Sequence, residues 1–340
     1  MSEIQKILLV QTAFIGDVIL TTPLIRSIKS AFPNALLDVL VIPQTSHVLQ
    51  NNPFIQTLLT FDKRADKKRA FRKTLRRLRR NRYDLALLPH RSLTTAALVF
   101  LARIPRRTGF SGRVSSLCYT IRVPFDKTKN QIRRYLDLAG ALGSKEDDMQ
   151  TEIYLTPEQG KKAKEILEPL RNHSTRLAFA PGSVWQTKQW PAENYIKLIT
   201  LLAEHDVGFV LIGSSEERGL CEHISSSVPG ATIINTAGAT NLLEAAAVIK
   251  ACDALVCNDN GAMHLANAVQ TDVLAFFGPT VREFGFAPFR SNDIVFETDL
   301  DCRPCSAHGG KRCPKRHFRC MLDIEVQSVY GHLVQKFRLS

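Results

Sequence analysis

At 340 residues, 44% apolar and 23% charged, the chain has the composition of an ordinary folded protein with room for two domains, which argues against disorder. A formal net charge of +13 calls for an anionic partner or surface. Eight cysteines in this length do not make a disulfide scaffold, and the apolar stretch of residues 7–28 is interrupted by Gly16-Asp17, Pro23 and Arg26, so it reads neither as a signal peptide nor as a membrane span. The expected location is therefore the cytoplasm.

Residues 6–12 read as a strand and 13–17 as a loop, after which Val18, Ile19, Leu24, Ile25 and Ile28 form the apolar face of a helix. Residues 36–42 are a second buried strand, and 57–61 and 85–88 are two more. An apolar helix is expected over 94–101. Between the last two strands, residues 63–82 contain twelve Lys or Arg in twenty positions, with Phe71, Leu75 and Leu78 spaced i, i+4, i+7. That pattern predicts an amphipathic helix whose basic outer face is either simply solvated or meets an anionic surface. Residues 133–142 predict another helix. Thr156-Pro157-Glu158-Gln159 has a Thr cap, Pro in the first turn and an acid beside it, and so starts a helix that ends near Arg171. The domain boundary is expected there, giving domains of residues 1–172 and 173–340.

The second half alternates more clearly, with strands at 177–180, 209–212, 232–235, 254–257 and 273–277, and helices at 192–203 and 242–249. Strands alternating with helices predict an α/β architecture. Each half would be a Rossmann-like, doubly wound parallel sheet, the two facing a cleft.

Neither G-x-G-x-x-G nor a Walker A sequence follows any predicted strand, which removes the main support for a dinucleotide oxidoreductase or a P-loop NTPase. Chemistry is expected instead at strand ends. Gly16-Asp17 falls where the first strand passes into its helix, so Asp17 either meets a substrate as a proton acceptor or caps that helix. Ser183, Thr187 and Lys188 lie on the loop after the first strand of the second half, where a lysine and a hydroxyl can reach phosphate oxygens; a surface lysine is the plainer alternative. Asn258-Asp259-Asn260-Gly261 turns a strand into a helix whose N-terminal N–H groups could hold a diphosphate. His264, one turn further, would add a hydrogen bond or positive charge, or is an ordinary core histidine. Glu216 and Glu217 follow the next strand, where an acid can bond ribose hydroxyls. Cys302, Cys305, Cys313 and Cys320 are spaced C-x2-C-x7-C-x6-C with His308 and His317 interleaved. They could enclose a structural zinc or an iron–sulfur cluster, or be reduced thiols in a basic loop.

Taken together, Gly16-Asp17-Val18, Pro181-Gly182-Ser183 with Lys188-Gln189-Trp190-Pro191, the run from Asn258 through His264, and Phe277-Gly278-Pro279-Thr280 resemble the ADP-heptose:lipopolysaccharide heptosyltransferases, glycosyltransferase family nine. The Cys-x-x-Cys region ending Cys320-Met321-Leu322-Asp323-Ile324 looks most like the heptosyltransferase II branch. The resemblance implies a GT-B fold with an N-terminal acceptor domain and a C-terminal ADP-sugar domain, and an inverting transfer of heptose from ADP-heptose to the lipopolysaccharide inner core. It implies Gly16 and Asp17 on the acceptor side, with Asp17 as general base. On the donor side, Lys188 and Thr187 would hold the diphosphate, the turn of Asp259, Asn260 and Gly261 with His264 would complete the pocket beside Ser183, and Glu217 would bind ribose. This sequence departs from the family at Gln11-Thr12-Ala13, where several members carry an arginine, and at Asn260, where Ser or Thr is common.

An inverting displacement needs a base for the acceptor and positive charge for the departing diphosphate. A lysine, a helix dipole and His264 would supply the latter, so no cofactor is required and no catalytic metal is expected. The basic run in the acceptor half would face phosphorylated core sugar or the anionic inner face of the inner membrane. Two rivals remain: a sugar-nucleotide 2-epimerase, for which the N-terminal half offers too few placed acids, and a nucleic-acid-binding protein, for which the basic run lacks stacking aromatics.

Overall fold

The computed structural model describes residues 4–62 and 66–339, and the chain divides into two units, residues 1–154 and 155–340. The first unit runs β1 (Lys6–Val10), α1 (Ile15–Ile19), α2 (Thr22–Ala31), β2 (Leu36–Val41), β3 (Thr57–Thr60), α3 (Lys67–Asn81), β4 (Leu85–Leu88), α4 (Leu93–Leu101), β5 (Arg106–Phe110), β6 (Ile121–Val123) and α5 (Gln131–Gly140). Its six strands are all parallel, in the order β3-β2-β1-β4-β5-β6. Ile7 to Val10 and Leu85 to Leu88 are fully buried because β1 and β4 lie mid-sheet, covered on both faces, which is why they read as unbroken apolar runs. The strand order reverses between β1 and β4, and a doubly wound sheet opens its ligand crevice at that point, beyond the carboxyl ends of the two strands.

Two local differences from the expected pattern have simple causes. The single N-terminal helix is two, because Thr22-Pro23 supplies a fresh first turn after Leu20 has closed α1 onto Gly16. Strands β5 and β6 carry little apolar signal: Arg106-Arg107-Thr108-Gly109-Phe110 is buried only from Thr108 onward. Gly109 is required there, since a Cβ would lie 2.4 Å from the Tyr119 ring. The basic helix forms as α3, capped by Asp66, whose carboxylate accepts from the Lys68 and Arg69 amides. Lys63 and Arg64 of the basic run lie outside the described residues.

The second unit runs α6 (Pro157–Ile166), β7 (Thr175–Ala180), α7 (Ala192–Leu202), β8 (Val207–Leu211), α8 (Arg218–Ser226), β9 (Ile233–Asn235), α9 (Leu242–Lys250), β10 (Ala254–Asn258), α10 (Gly261–Ala268), β11 (Asp272–Phe277), β12 (Ile294–Glu297), α11 (Arg319–Leu322) and α12 (Val326–Phe337). Its sheet, β12-β11-β10-β7-β8-β9, repeats the topology of the first. The switch point is now between β7 and β10. The boundary falls earlier than the expected 172/173. The Thr156-capped helix α6 belongs to the second unit because it packs on α9, where Lys162 Nζ reaches Glu244 Oε1 at 2.7 Å. No helix among the described residues is long and apolar enough to cross a membrane.

Asn258, the last residue of β10, fixes the geometry of this switch point. Its fully buried amide accepts from the Trp190 backbone N–H (2.9 Å) and the Tyr195 hydroxyl (3.2 Å), and donates to the Pro181 carbonyl (2.7 Å). Trp190 in turn stacks on Phe276 of β11, ring centroids 4.3 Å apart. One side chain thus ties the loop after β7 to the end of β10. Asn258→Ala would strand two buried donors and an acceptor, at a cost of about 1–3 kcal/mol for each unpaired group. Both tryptophans, Trp185 and Trp190, lie in this unit. Urea unfolding followed by tryptophan fluorescence should therefore show a lower midpoint, while an unchanged midpoint would mean that water replaces the amide.

Candidate functional site

At the β7/β10 switch point the structure brings Lys188 and Asp259 together. Lys188 ends a short 3-10 turn, Gln186–Lys188, and its Nζ lies 2.5 Å from Asp259 Oδ2, with both side chains nearly buried, 12% and 11% exposed. The Thr280 hydroxyl donates to the same carboxylate oxygen at 2.7 Å. Asn260 completes the junction: its Nδ2 donates to the Gly182 carbonyl at 2.8 Å and its Oδ1 accepts from the Ala262 and Met263 amides. An ammonium has three donors and Asp259 uses one. The lysine is therefore a fixed cation with capacity left for an anionic ligand.

Other expected donor-side residues sit differently from the sequence reading. The Thr187 hydroxyl is buried and donates its one proton to the Gly310 carbonyl (3.0 Å), while accepting from the Gly310 amide (2.8 Å). It anchors a neighbouring loop and cannot also donate to a phosphate. The N-terminus of α10 is already capped, since Asn260 takes the Ala262 and Met263 N–H groups, so little beyond the Gly261 amide is left for a diphosphate. Burial, reinforced by the nearby Lys188 ammonium and only partly offset by Asp259, pushes His264 down to about 4. It is neutral at pH 7 and adds no positive charge. Ser183 Oγ accepts from the Trp185 amide at 3.3 Å, and its carbonyl from the Gln189 amide group at 2.8 Å, so it shapes the loop. Glu217, rather than the exposed Glu216, reaches this loop: a Cβ on Gly182 would meet its carboxylate at 2.0 Å. Gly182 is the glycine that permits that approach.

The cysteine segment lies beside the same loop. A cavity of ≈ 70 Å³ is lined by Thr187, Gly310, Cys305, Cys313 and Cys320. Burial, and then the charge of neighbouring cysteines, raises Cys320 to about 11 and Cys305 in the same direction. Cys313 goes the other way because the backbone amides of Lys315 to Phe318 point at its sulfur, outweighing its partial burial. Thiol donors of this kind suit zinc or iron, but among the described residues no three His, Cys, Asp or Glu side chains stand in an arrangement that could hold a metal ion.

In the first unit, Asp17 sits in the first turn of α1, whose N-cap is Phe14, so Asp17 is not the helix cap. The Tyr135 hydroxyl donates to Asp17 Oδ1 at 3.2 Å and accepts from Gln11 Nε2 at 3.3 Å. Full burial, with Asp17 alongside, raises Tyr135 well above the ordinary tyrosine value, so it stays a donor. Gln11 Nε2 also donates to the Thr21 hydroxyl at 2.8 Å. Positive charge is supplied from other positions. Arg91, just beyond β4, lies 3.9 Å over the Phe125 ring, and Arg134 lies 5.1 Å from the same ring. Burial and the neighbouring Arg113 and Arg134 hold Arg91 below the ordinary arginine value. Its Nε has no hydrogen-bond partner among the described residues. Three arginines gathered at a sheet's carboxyl edge, with Asp126 beside Arg134, suit an anionic ligand. Sequence reading missed Tyr135 and this arginine cluster because the residues are scattered from position 91 to 135, with no motif linking them.

A family model described as glycosyltransferase family 9 (heptosyltransferase) matches residues 71–315. Lipopolysaccharide heptosyltransferase 2 of Escherichia coli K12 is 29% identical over 294 residues, covering 82% of this chain and 84% of that protein. Lipooligosaccharide heptosyltransferase 2 of Haemophilus influenzae is 28% identical over 294 residues, covering 82% and 85%. Among solved structures, E. coli ADP-heptose LPS heptosyltransferase II superposes with a TM-score of 0.80 at 24% identity, covering 98% of each chain. The two-sheet architecture is thus that of GT-B heptosyltransferase structures.

His264 makes a pH-dependent prediction. An unfolded histidine titrates near 6.5 and the buried one near 4, so between these values the unfolded chain binds more protons than the native one. Stability contributed by neutral His264 is present above about 6.5 and is lost as the pH falls toward 4. Tryptophan-monitored urea midpoints from pH 7 to pH 4 should drop less steeply in His264→Gln than in the wild type. Equal slopes would show that the ring is not held neutral.

Proposed function

We propose that this chain, which belongs to glycosyltransferase family 9, transfers a heptose from ADP-heptose to the inner core of lipopolysaccharide. The observation that carries this reading is Lys188, a cation held almost out of water by Asp259 at the strand-end junction of a nucleotide-type sheet. In a low-dielectric setting such a charge opposes the negative charge that builds on a departing diphosphate. The second unit is read as the ADP-sugar unit, with Glu217 against Gly182 as the ribose-binding acid. Thr187 and Ser183 shape the loop, Asp259 and Asn260 orient it, Gly261 offers its amide, and neutral His264 can contribute a hydrogen bond only.

The first unit is read as the acceptor unit. Asp17, oriented by Tyr135, takes the proton of the acceptor hydroxyl as its oxygen bonds the anomeric carbon of the heptose. The bond from that carbon to the diphosphate breaks on the opposite side, ADP leaves, and the configuration inverts. Gly16 directly precedes Asp17 in α1. Arg91, Arg113 and Arg134 are suited to an acidic or phosphorylated core sugar. No cofactor takes part in the step. The cysteine segment supports the donor loop through Gly310 and Thr187. The reaction is placed on the cytoplasmic side, at the inner face of the inner membrane.

Transfer is measured by incubating the protein with ADP-heptose and a heptose-deficient core acceptor and detecting the heptosylated product by mass spectrometry. The wild type should form product. Asp17→Asn should lose about 10²–10⁴-fold in turnover, the usual worth of a positioned base, with ADP affinity unchanged. Turnover retained by Asp17→Asn would remove it as the base, and absence of transfer to any core acceptor would refute the heptosyltransferase reading.

A further inference from the structure

The first unit exposes a surface that the transfer chemistry does not use. Helix α3 carries nine Lys or Arg in fifteen residues, and none of them forms an ion pair with a described residue. Solubility does not call for nine unneutralised cations on one helix. Next to it, α4 and the 3-10 turn Val114–Cys118 leave large apolar side chains in water: Phe100 is 50% exposed, Leu101 42%, Val114 68% and Leu117 72%. Leu93, at the start of α4, is exposed as well.

These features form one continuous surface. The Arg79 guanidinium of α3 donates twice to the Leu101 carbonyl, at 3.2 and 3.0 Å. The Arg107 guanidinium lies 5.4 Å from the Phe100 ring centroid and donates to the Cys118 carbonyl at 2.6 Å. Helix α4 packs against both α3 and the 114–118 turn. The result is an apolar ridge bordered by unneutralised arginines and lysines.

We infer that this face docks the protein on an anionic phospholipid bilayer, with the ridge entering the headgroup layer and α3 lying along the charged surface. A cationic flank with Phe, Leu and Val at its centre is the composition that binds such an interface, since apolar burial and attraction to acidic headgroups act together. Nucleic acid would use the cations and leave the ridge in water. A second copy of this chain would set one row of unpaired cations against another. The inference stands on the surface of the first unit alone and is independent of the transfer reading. It gives that reading a geometric consequence, because Val114 directly follows Arg113 of the arginine cluster at the sheet edge. Docking would bring that edge close to the lipid.

The test is cosedimentation of the whole protein with phosphatidylglycerol/phosphatidylethanolamine vesicles and, separately, with phosphatidylcholine vesicles. Binding is expected to the anionic vesicles only and to weaken as salt is raised. The charge-reversed R72E/R76E/R80E variant and the V114E/L117E variant, which alter exposed side chains, should each bind at least tenfold more weakly with unchanged thermal midpoints. Hydrogen exchange of the wild type provides a readout independent of variant folding: vesicles should protect residues 93–101 and 113–118 as well as α3. Equal binding to both vesicle types, or vesicle binding without protection of 113–118, would overturn the proposal. So would equally tight binding to duplex DNA with protection confined to α3, which would reassign the face to nucleic acid. Self-association that protects the same segments without vesicles would reassign it to a second copy.

Discussion

The contact between Lys188 and Asp259 is the constraint around which the second unit is arranged. Two opposite charges withdrawn from water are tolerated only when each has its partner in good geometry, and removing one partner of a buried pair typically costs about 3–5 kcal/mol. Asn258 holds the loop after β7 against the end of β10, Asn260 bonds the Gly182 carbonyl of the same loop, and Thr280 fixes the carboxylate from the next strand's end. Three consecutive polar residues, 258–260, thereby set one lysine. Beneath them the apolar layer of Trp190, Tyr195 and Phe276 gives the junction a rigid floor.

This arrangement changes the chemical meaning of the Asn-Asp-Asn-Gly turn. Read as sequence, it is an anion-binding helix N-terminus. In the structure its own asparagine caps that terminus, its aspartate orients a cation, and its histidine is kept neutral by burial beside that cation. The positive charge of this junction therefore sits on the lysine across from the turn and not on the histidine. The first unit follows a parallel logic at its own switch point, where a buried tyrosine steadies Asp17 and arginines cluster beyond the strand ends.

How much of this was legible follows from what a linear pattern can carry. Strands with unbroken apolar runs, such as Ile7 to Val10 and Ala254 to Cys257, announced themselves because parallel strands are buried on both faces. The edge strands β6 and β12, and β5 next to an edge, did not, since their part-exposed positions tolerate Arg, Thr and Glu. The capping box at Thr156 was plain, but which unit the helix joined depended on α9, far along the chain. The candidate lysine, the turn and Asp17 could be named from local context. Their partners could not, because Tyr135, Gly310 and Thr280 lie 118, 123 and 21 residues away from the residues they hold.

The central claim is that Lys188, set by Asp259, is the cation that receives the ADP diphosphate, and calorimetric titration of ADP tests it most directly. The wild type should bind ADP, and Lys188→Met should bind at least tenfold more weakly. Asp259→Asn should also weaken binding, because the lysine loses its anchor even though a negative charge has been removed from the site. ADP binding by Lys188→Met as tight as that of the wild type, or tighter binding by Asp259→Asn, would contradict the account.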